Sequence, residues 1–477
     1  MNEGSGGAGA SYEGGSPVFQ RPVRRPLLQR LLPLTQDLPR YRGGTLRRDL
    51  LAGVTVAALA LPASLAYAEI AGLSPVIGLY ALLLPAVAYA LFGTSRQVIV
   101  GPDGAIAALV GAAIIPLVTN PEQRTSLAAL LALLVGAAFL GARLARLGWI
   151  ADYFSRPVLI GYLHGVAAVL IIGQLGKLLG LSMSAQTPPG QIIEIAREIT
   201  DLSWTTLAVG LACLAALLLL HWVIPKLPGP LIVVVLATVV SAAVGLAGMG
   251  VAVVGHIPSG LPSLEVPDLR LRDILTLLPA AVGIFFVSFC SEILTARSVA
   301  GRHGQHVDAN QELVAVGAVN LAAGISQGFP VAASGSRTTV NDQMGARTQF
   351  AGLMAAAVIA LVLLFLTGPM QYLPQATLGA VIVAAALGMI DLAAWRGLTH
   401  ISRVEVSIAA ITMVGVITVG VLRALLLAVA LSVVDAVRRS ATPHDAVLGW
   451  VERLDRYADV RLHPTAKIVP SAGLPAR

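Results

Sequence analysis

The chain has 477 residues, of which 56% are hydrophobic and only 12% charged, with a mean hydropathy of +0.81. A soluble globular domain carries about 25% charged residues, so this composition excludes that class. It describes a polytopic membrane protein with room for about ten to fourteen crossings of about 20 residues each. The net charge of +7 comes mostly from arginines near the ends and in short loops, so it carries topology information and does not mark a nucleic-acid surface. Cys213 and Cys290 both sit in apolar runs, which points to packing and supports neither a disulfide framework nor a metal site.

Residues 1–20 form a Gly/Ser tail, and residues 21–48 hold eight arginines, so the positive-inside rule places this arm in the cytoplasm. No signal peptide is expected, because the first long apolar run starts only at Leu50. Spans are predicted over 50–71, interrupted by Pro62, and over 76–92. In 97–118 a β-branched run meets Gly-Pro and then a helical pattern. That order predicts an extended piece entering a half-helix near Pro102, since proline suits the first helical turn. Further spans over 126–142, 157–176, 205–222 and 230–249 complete seven segments within 49–249.

The polar, proline-punctuated stretch 250–274 reads as an extracytoplasmic linker at the midpoint. Seven more segments are predicted within 275–439, over 275–296, 309–326, 334–346, 348–367, 375–390, 404–420 and 422–438. Loop arginines are denser on the side this count makes cytoplasmic, which supports fourteen crossings with both termini inside. Seven spans per half reverse the second half relative to the first. The expected fold is thus all-α, with inverted repeats whose third elements are the interrupted ones, and such broken segments mark a midplane binding site.

These two elements supply the candidate site. One is Val100, Gly101, Pro102, Asp103, Gly104 and Ala105; the other is Ser334, Gly335, Ser336, Arg337 and Thr338. A charge at bilayer depth costs about 2.5 to 3.5 kcal/mol on the translocon scale, so Arg337 needs a partner or a polar cavity. Two half-helices meeting head-on would each present the equivalent of roughly half a positive charge, which suits a small anion. The alternative is an Arg337 paired permanently with a carboxylate or snorkelling from a helix end. Glu292 lies in an apolar helix and is a candidate for proton coupling; its alternatives are a neutral, hydrogen-bonded acid or an ion pair with Arg297. Asp103 reads as a helix cap more readily than as a coupling group, Glu69 as interfacial, His164 as a packed histidine, and Gly161 and Gly165 as packing positions. Phosphate loops, metal-ligand clusters and nucleophile-base sets are absent from the sequence, so no enzyme and no cofactor is expected.

The stretches DLLAGVTVAALALPASLAYAEIAGLSPVIGLY (49–80), LFGTSRQVIVGPDGA (91–105), IADYFSRPVLIGYLHGVAAVLIIGQLGKLLG (150–180) and DANQELVAVGAVNLAAGISQGFPVAASGSRTTVN (308–341) strongly resemble the sulfate permease family, which includes the prestin and pendrin relatives. The resemblance covers about residues 45–470. It implies a UraA-like fold with a core domain (segments one to four and eight to eleven) and a gate domain (five to seven and twelve to fourteen). A homodimer and an elevator-type movement are implied too, as is a bacterial inner-membrane location. By position, Ser336 and Arg337 match the family's Ser-Arg pair, and the anion site falls between the third and tenth segments, with contributions from the first and eighth.

Three departures stand out. Pro62 is followed by Ala63 where the family often has Pro-Gln. The eighth-segment acid found in related bacterial members six residues before the arginine is replaced by Ser291, with Glu292 one position on. The stretch 443–470 resembles the connector into a cytoplasmic STAS domain, and the chain ends at Arg477 where that domain is expected to start. The expected function is a secondary anion carrier for a small oxyanion or dicarboxylate, such as sulfate, bicarbonate or fumarate, coupled to protons. A nucleobase-proton symporter of the same fold and an uncoupled anion channel or motor remain the alternatives.

Overall fold

A computed structural model describes residues 43–148, 156–181, 183, 185, 187–224, 228–305, 307–401, 403–420, 423, 424, 427, 448–451 and 456–459. The first half runs α1 (Gly43–Ile70), α2 (Pro75–Phe92), β1 (Val100–Gly101), α3 (Gly104–Ile114), α4 (Pro121–Leu144), α5 (Arg156–Leu179), α6 (Pro188–Glu198), α7 (Trp204–Val223) and α8 (Gly229–Val244). The second half follows with α9 (Leu271–Arg302), α10 (Ala309–Ile325), β2 (Ala332–Ala333), α11 (Gly335–Gln343), α12 (Phe350–Phe365), the single turn α13 (Thr367–Met370), α14 (Gln375–Met389), α15 (Leu392–Ile401) and α16 (Arg403–Val419). A separate hairpin pairs β3 (Leu448–Val451) with β4 (Arg456–Asp459).

Helix starts follow local chemistry. Proline occupies the first turn of α2, α4 and α6, where its missing N–H costs nothing. Asn120 accepts from the Glu122 amide at 2.9 Å and Asp308 from the Asn310 amide at 2.9 Å, each satisfying a donor that the helix cannot. Among the described residues, seven helices are long and apolar enough to cross a bilayer, and four shorter ones are apolar.

The first thirteen predicted segments each contain a helix. The fourteenth, 422–438, falls almost wholly outside the described residues, as do the arm 1–42 and most of the stretch 440–477. Two helices occupy ground read as loop, α6 (PPGQIIEIARE) and α15 (LAAWRGLTHI). At 11 and 10 residues both are too short to span, and their mixed composition carries no continuous apolar run to signal them.

Packing joins the two halves of the chain. α4 and α2 pack against α10, and α1 packs against α12, while α5, α7, α14 and α16 form a second interlocked group. Phe139 of α4 meets Phe285 of α9 edge-on, with ring centroids 4.8 Å apart. Gly161 and Gly165 let α5 approach α16: a Cβ on Gly161 would lie 2.1 Å from the Ala409 carbonyl oxygen, and one on Gly165 would lie 2.7 Å from the Val416 side chain. His164 is likewise a packing residue. Its Nδ1 bonds the Ile160 carbonyl at 2.8 Å, its Nε2 accepts from the Asp391 amide at 3.0 Å, and its ring meets Trp395 edge-on.

Candidate substrate-binding site

The extended residues before α3 and α11 lack helical hydrogen bonds, and at bilayer depth every such backbone group needs a partner. The two stretches satisfy each other. β1 and β2 pair antiparallel, Val100 opposite Ala333 and Gly101 opposite Ala332. The Ser334 amide donates to the Ile99 carbonyl at 2.9 Å, and the Ile99 amide donates to Thr338 Oγ1 at 3.0 Å. Carboxamides complete the set: Gln349 donates to the Ser95 and Val98 carbonyls, and Asn341 to the Gln97 carbonyl. On the other side Asn320 donates to the Val331 carbonyl at 3.1 Å and accepts from the Val331 amide at 3.0 Å.

This pairing sets the starts of α3 and α11 next to each other. Asp103 caps α3, its Oδ1 accepting from the Ala105 amide at 3.0 Å, in line with the capping reading. Ser334 caps α11, while Gly335 and Ser336 at its first turn are exposed. Arg337 is 4% exposed. It donates through Nη2 to the Pro102 carbonyl at 2.5 Å, and its Nη1 has no hydrogen-bond partner. Gly101 makes room for this arginine: a Cβ there would sit 2.5 Å from Leu82 and 3.2 Å from Arg337 Nη1, and its φ of +152° favours glycine.

Two side chains that sequence reasoning did not single out reach the same space. The Tyr67 ring of α1 lies 3.2 Å from where a Gly104 Cβ would be, and Thr295 Oγ1 of α9 lies 3.9 Å from where a Gly335 Cβ would be. Asp103 and Tyr67 are the electrostatic neighbours of Arg337. The arrangement sets a guanidinium with an unpartnered Nη1, hydroxyls and two helix starts beside one another, which is donor-rich chemistry suited to an anion.

Glu292 is fully buried on α9 and is not among the residues assembled around Arg337; it meets Tyr89 of α2 and Glu312 of α10 instead. Glu69 forms an ion pair with Lys177 of α5 at 2.5 Å, with its side chain 11% exposed. Among the described residues no group of His, Cys, Asp and Glu has the arrangement of a metal site.

A model of the sulfate permease family matches residues 46–412, most of the chain. The chain belongs to the sulfate permease family. It is 43% identical over 431 residues to a probable sulfate transporter of Mycobacterium tuberculosis (strain CDC 1551 / Oshkosh), covering 90% of this chain and 77% of the relative. It is 34% identical to human solute carrier family 26 member 6, covering 93% of this chain and 62% of that protein.

Murine solute carrier 26 family member A9, an anion transporter solved in the inward-facing state, superposes with a TM-score of 0.81 at 22% identity, over 94% of this chain and 79% of that one. The transmembrane domain of a cyanobacterium bicarbonate transporter gives 0.69 at 24% identity, over 83% of this chain and 98% of that one. These likenesses give the fold, a mostly helical one shared with those two structures. Membership of the sulfate permease family makes the chain a transporter and not an enzyme.

Proposed function

We propose that the chain is a secondary anion carrier for a small oxyanion or dicarboxylate, of the sulfate, bicarbonate or fumarate class, and that the anion binds between the starts of α3 and α11. One observation carries this reading: a buried arginine with an unpartnered Nη1 beside two paired helix starts, one of them exposed. A permanently paired structural arginine would have its donors occupied. The site comprises the two predicted runs, 100–105 and 334–338, with Tyr67 and Thr295 at its edge.

The proposal extends to architecture and coupling. Residues 49–249 and 275–439 form inverted repeats of seven crossings in a bacterial inner membrane, with both termini cytoplasmic. Core elements carry the anion past a gate by an elevator movement, in a homodimer, with protons as the coupling ion and Glu292 taking part. Packing is densest within α1, α2, α4, α10 and α12 and within α5, α7, α14 and α16, with α1 also meeting α14, and this supports a division into core and gate.

The test is uptake into proteoliposomes of labelled sulfate, bicarbonate, chloride, fumarate and uracil, with and without an inward proton gradient. Saturable, gradient-stimulated uptake of an oxyanion or dicarboxylate is expected. Uracil uptake with no anion transport would replace the reading with a nucleobase carrier, and anion flux that never accumulates against a gradient would replace it with a channel.

A further inference from the structure

Two fully buried carboxyl groups face each other among α2, α9 and α10. Tyr89 Oη lies 3.3 Å from Glu292 Oε1 and 3.0 Å from Glu312 Oε2. Glu292 and Glu312 are both 0% exposed and Tyr89 is 1% exposed. We propose that Glu292 and Glu312 share a single proton through Tyr89, and that this pair, not Glu292 alone, is the proton-holding site of the protein.

A phenol has one proton and can donate it to only one of the two oxygens. With both glutamates ionised, the other contact would set lone pair against lone pair in a site with no water to relieve it, and two like charges at this range exclude each other. A carboxylic-acid proton removes the conflict: the acid donates to the tyrosine oxygen and the tyrosine donates to the carboxylate.

Geometry assigns the proton. Glu312 Oε1 accepts from the Thr94 amide at 2.9 Å and from the Thr94 hydroxyl, and the Ser95 amide faces the same carboxyl, so Glu312 has the donors a carboxylate needs. Glu292 Oε2 has no donor from the chain, so Glu292 is the acid. The Ala333 amide of β2 also faces Glu292, and the cations nearest in sequence are Arg297 for Glu292 and Arg302 for Glu312. α2 packs on β1 and α9 on β2, so the helices that carry Tyr89 and Glu292 also support the two strands beside Arg337. Loss of the proton leaves two facing carboxylates, and their separation shifts those strands. Only this last step rests on the anion-carrier reading; the proton site stands without it.

The experiment is infrared spectroscopy of the full chain in lipid nanodiscs at neutral pH, following the carboxylic-acid C=O stretch. The unsubstituted protein is expected to show a buried carboxylic-acid band that Glu292→Gln removes. Glu312→Gln and Tyr89→Phe are expected to keep the band but shift its frequency, because each changes what the acid touches. No band in the unsubstituted protein, a band surviving in Glu292→Gln, or an unmoved band in both other variants would each overturn the proposal. Anion uptake without the band would sink the shared proton and leave the carrier; the band pattern without any anion uptake would do the reverse.

Discussion

Arg337 presents a planar fork of five N–H donors, and the protein itself uses one nitrogen on the Pro102 carbonyl. Its Nη1 has no partner within the protein, and the proposed site gives that donor to the oxyanion. Arg337→Ala is therefore expected to abolish anion binding while leaving monodisperse, helical protein. Arg337→Lys, which keeps the charge but loses the fork, is expected to bind at least about tenfold more weakly. Isothermal titration with sulfate reads both, and an unchanged affinity in Arg337→Ala removes the residue from the site. Gly101 is the second sensitive position, since an added methyl group meets Leu82 and the guanidinium at once. Gly101→Ala is expected to destabilise by about 1 to 3 kcal/mol and to displace Arg337. A thermal melt matching the parent, with full uptake, would show that neither contact constrains the site.

At the level of elements, the short strands hold because polar side chains stand in for missing helix bonds, and Asn320 is the clearest case. It closes both the amide and the carbonyl of Val331, so Asn320→Leu keeps the size and strips both partners. The expected loss is about 2 to 6 kcal/mol, at about 1 to 3 for each group left unsatisfied, with anion affinity falling alongside stability. Thermal unfolding in detergent with and without sulfate measures the two together, and a variant as stable as its parent contradicts this role.

The same elements show what the sequence could and could not express. The long apolar spans and the Gly/Pro breaks before α3 and α11 are local patterns, so they were readable, as was Asp103 as a cap. The pairing of Val100 with Ala333 joins positions more than 200 apart in sequence, and no local period encodes it. Glu312 was passed over for a sharper reason. It lies in the first turn of α10, where an acid ordinarily serves the helix dipole, so nothing in its surroundings marked it as a buried partner of Glu292. Tyr67 and Thr295 sit within regular helices, and only the approach of α1 and α9 to the helix starts brings them beside Gly104 and Gly335.

For the whole molecule, the elevator reading requires the group around α1 to move against the group around α5. The Glu69–Lys177 ion pair joins those two helices directly. A contact of this kind has to open in every cycle if the movement occurs, and a covalent bridge at the same place has to stop transport. The described cysteines, Cys213 and Cys290, are buried, so cysteines introduced at the ion pair would be the accessible thiols. The double variant Glu69→Cys/Lys177→Cys, bridged by a short bifunctional thiol reagent in proteoliposomes, is expected to lose uptake. Each single variant treated in the same way should keep it. A reagent cleaved by reductant should restore the double variant, which separates arrested movement from damage to the site. Full uptake with the bridge verified by mass spectrometry would mean that α1 and α5 stay together through the cycle, and a fixed-barrier route would have to replace the moving core.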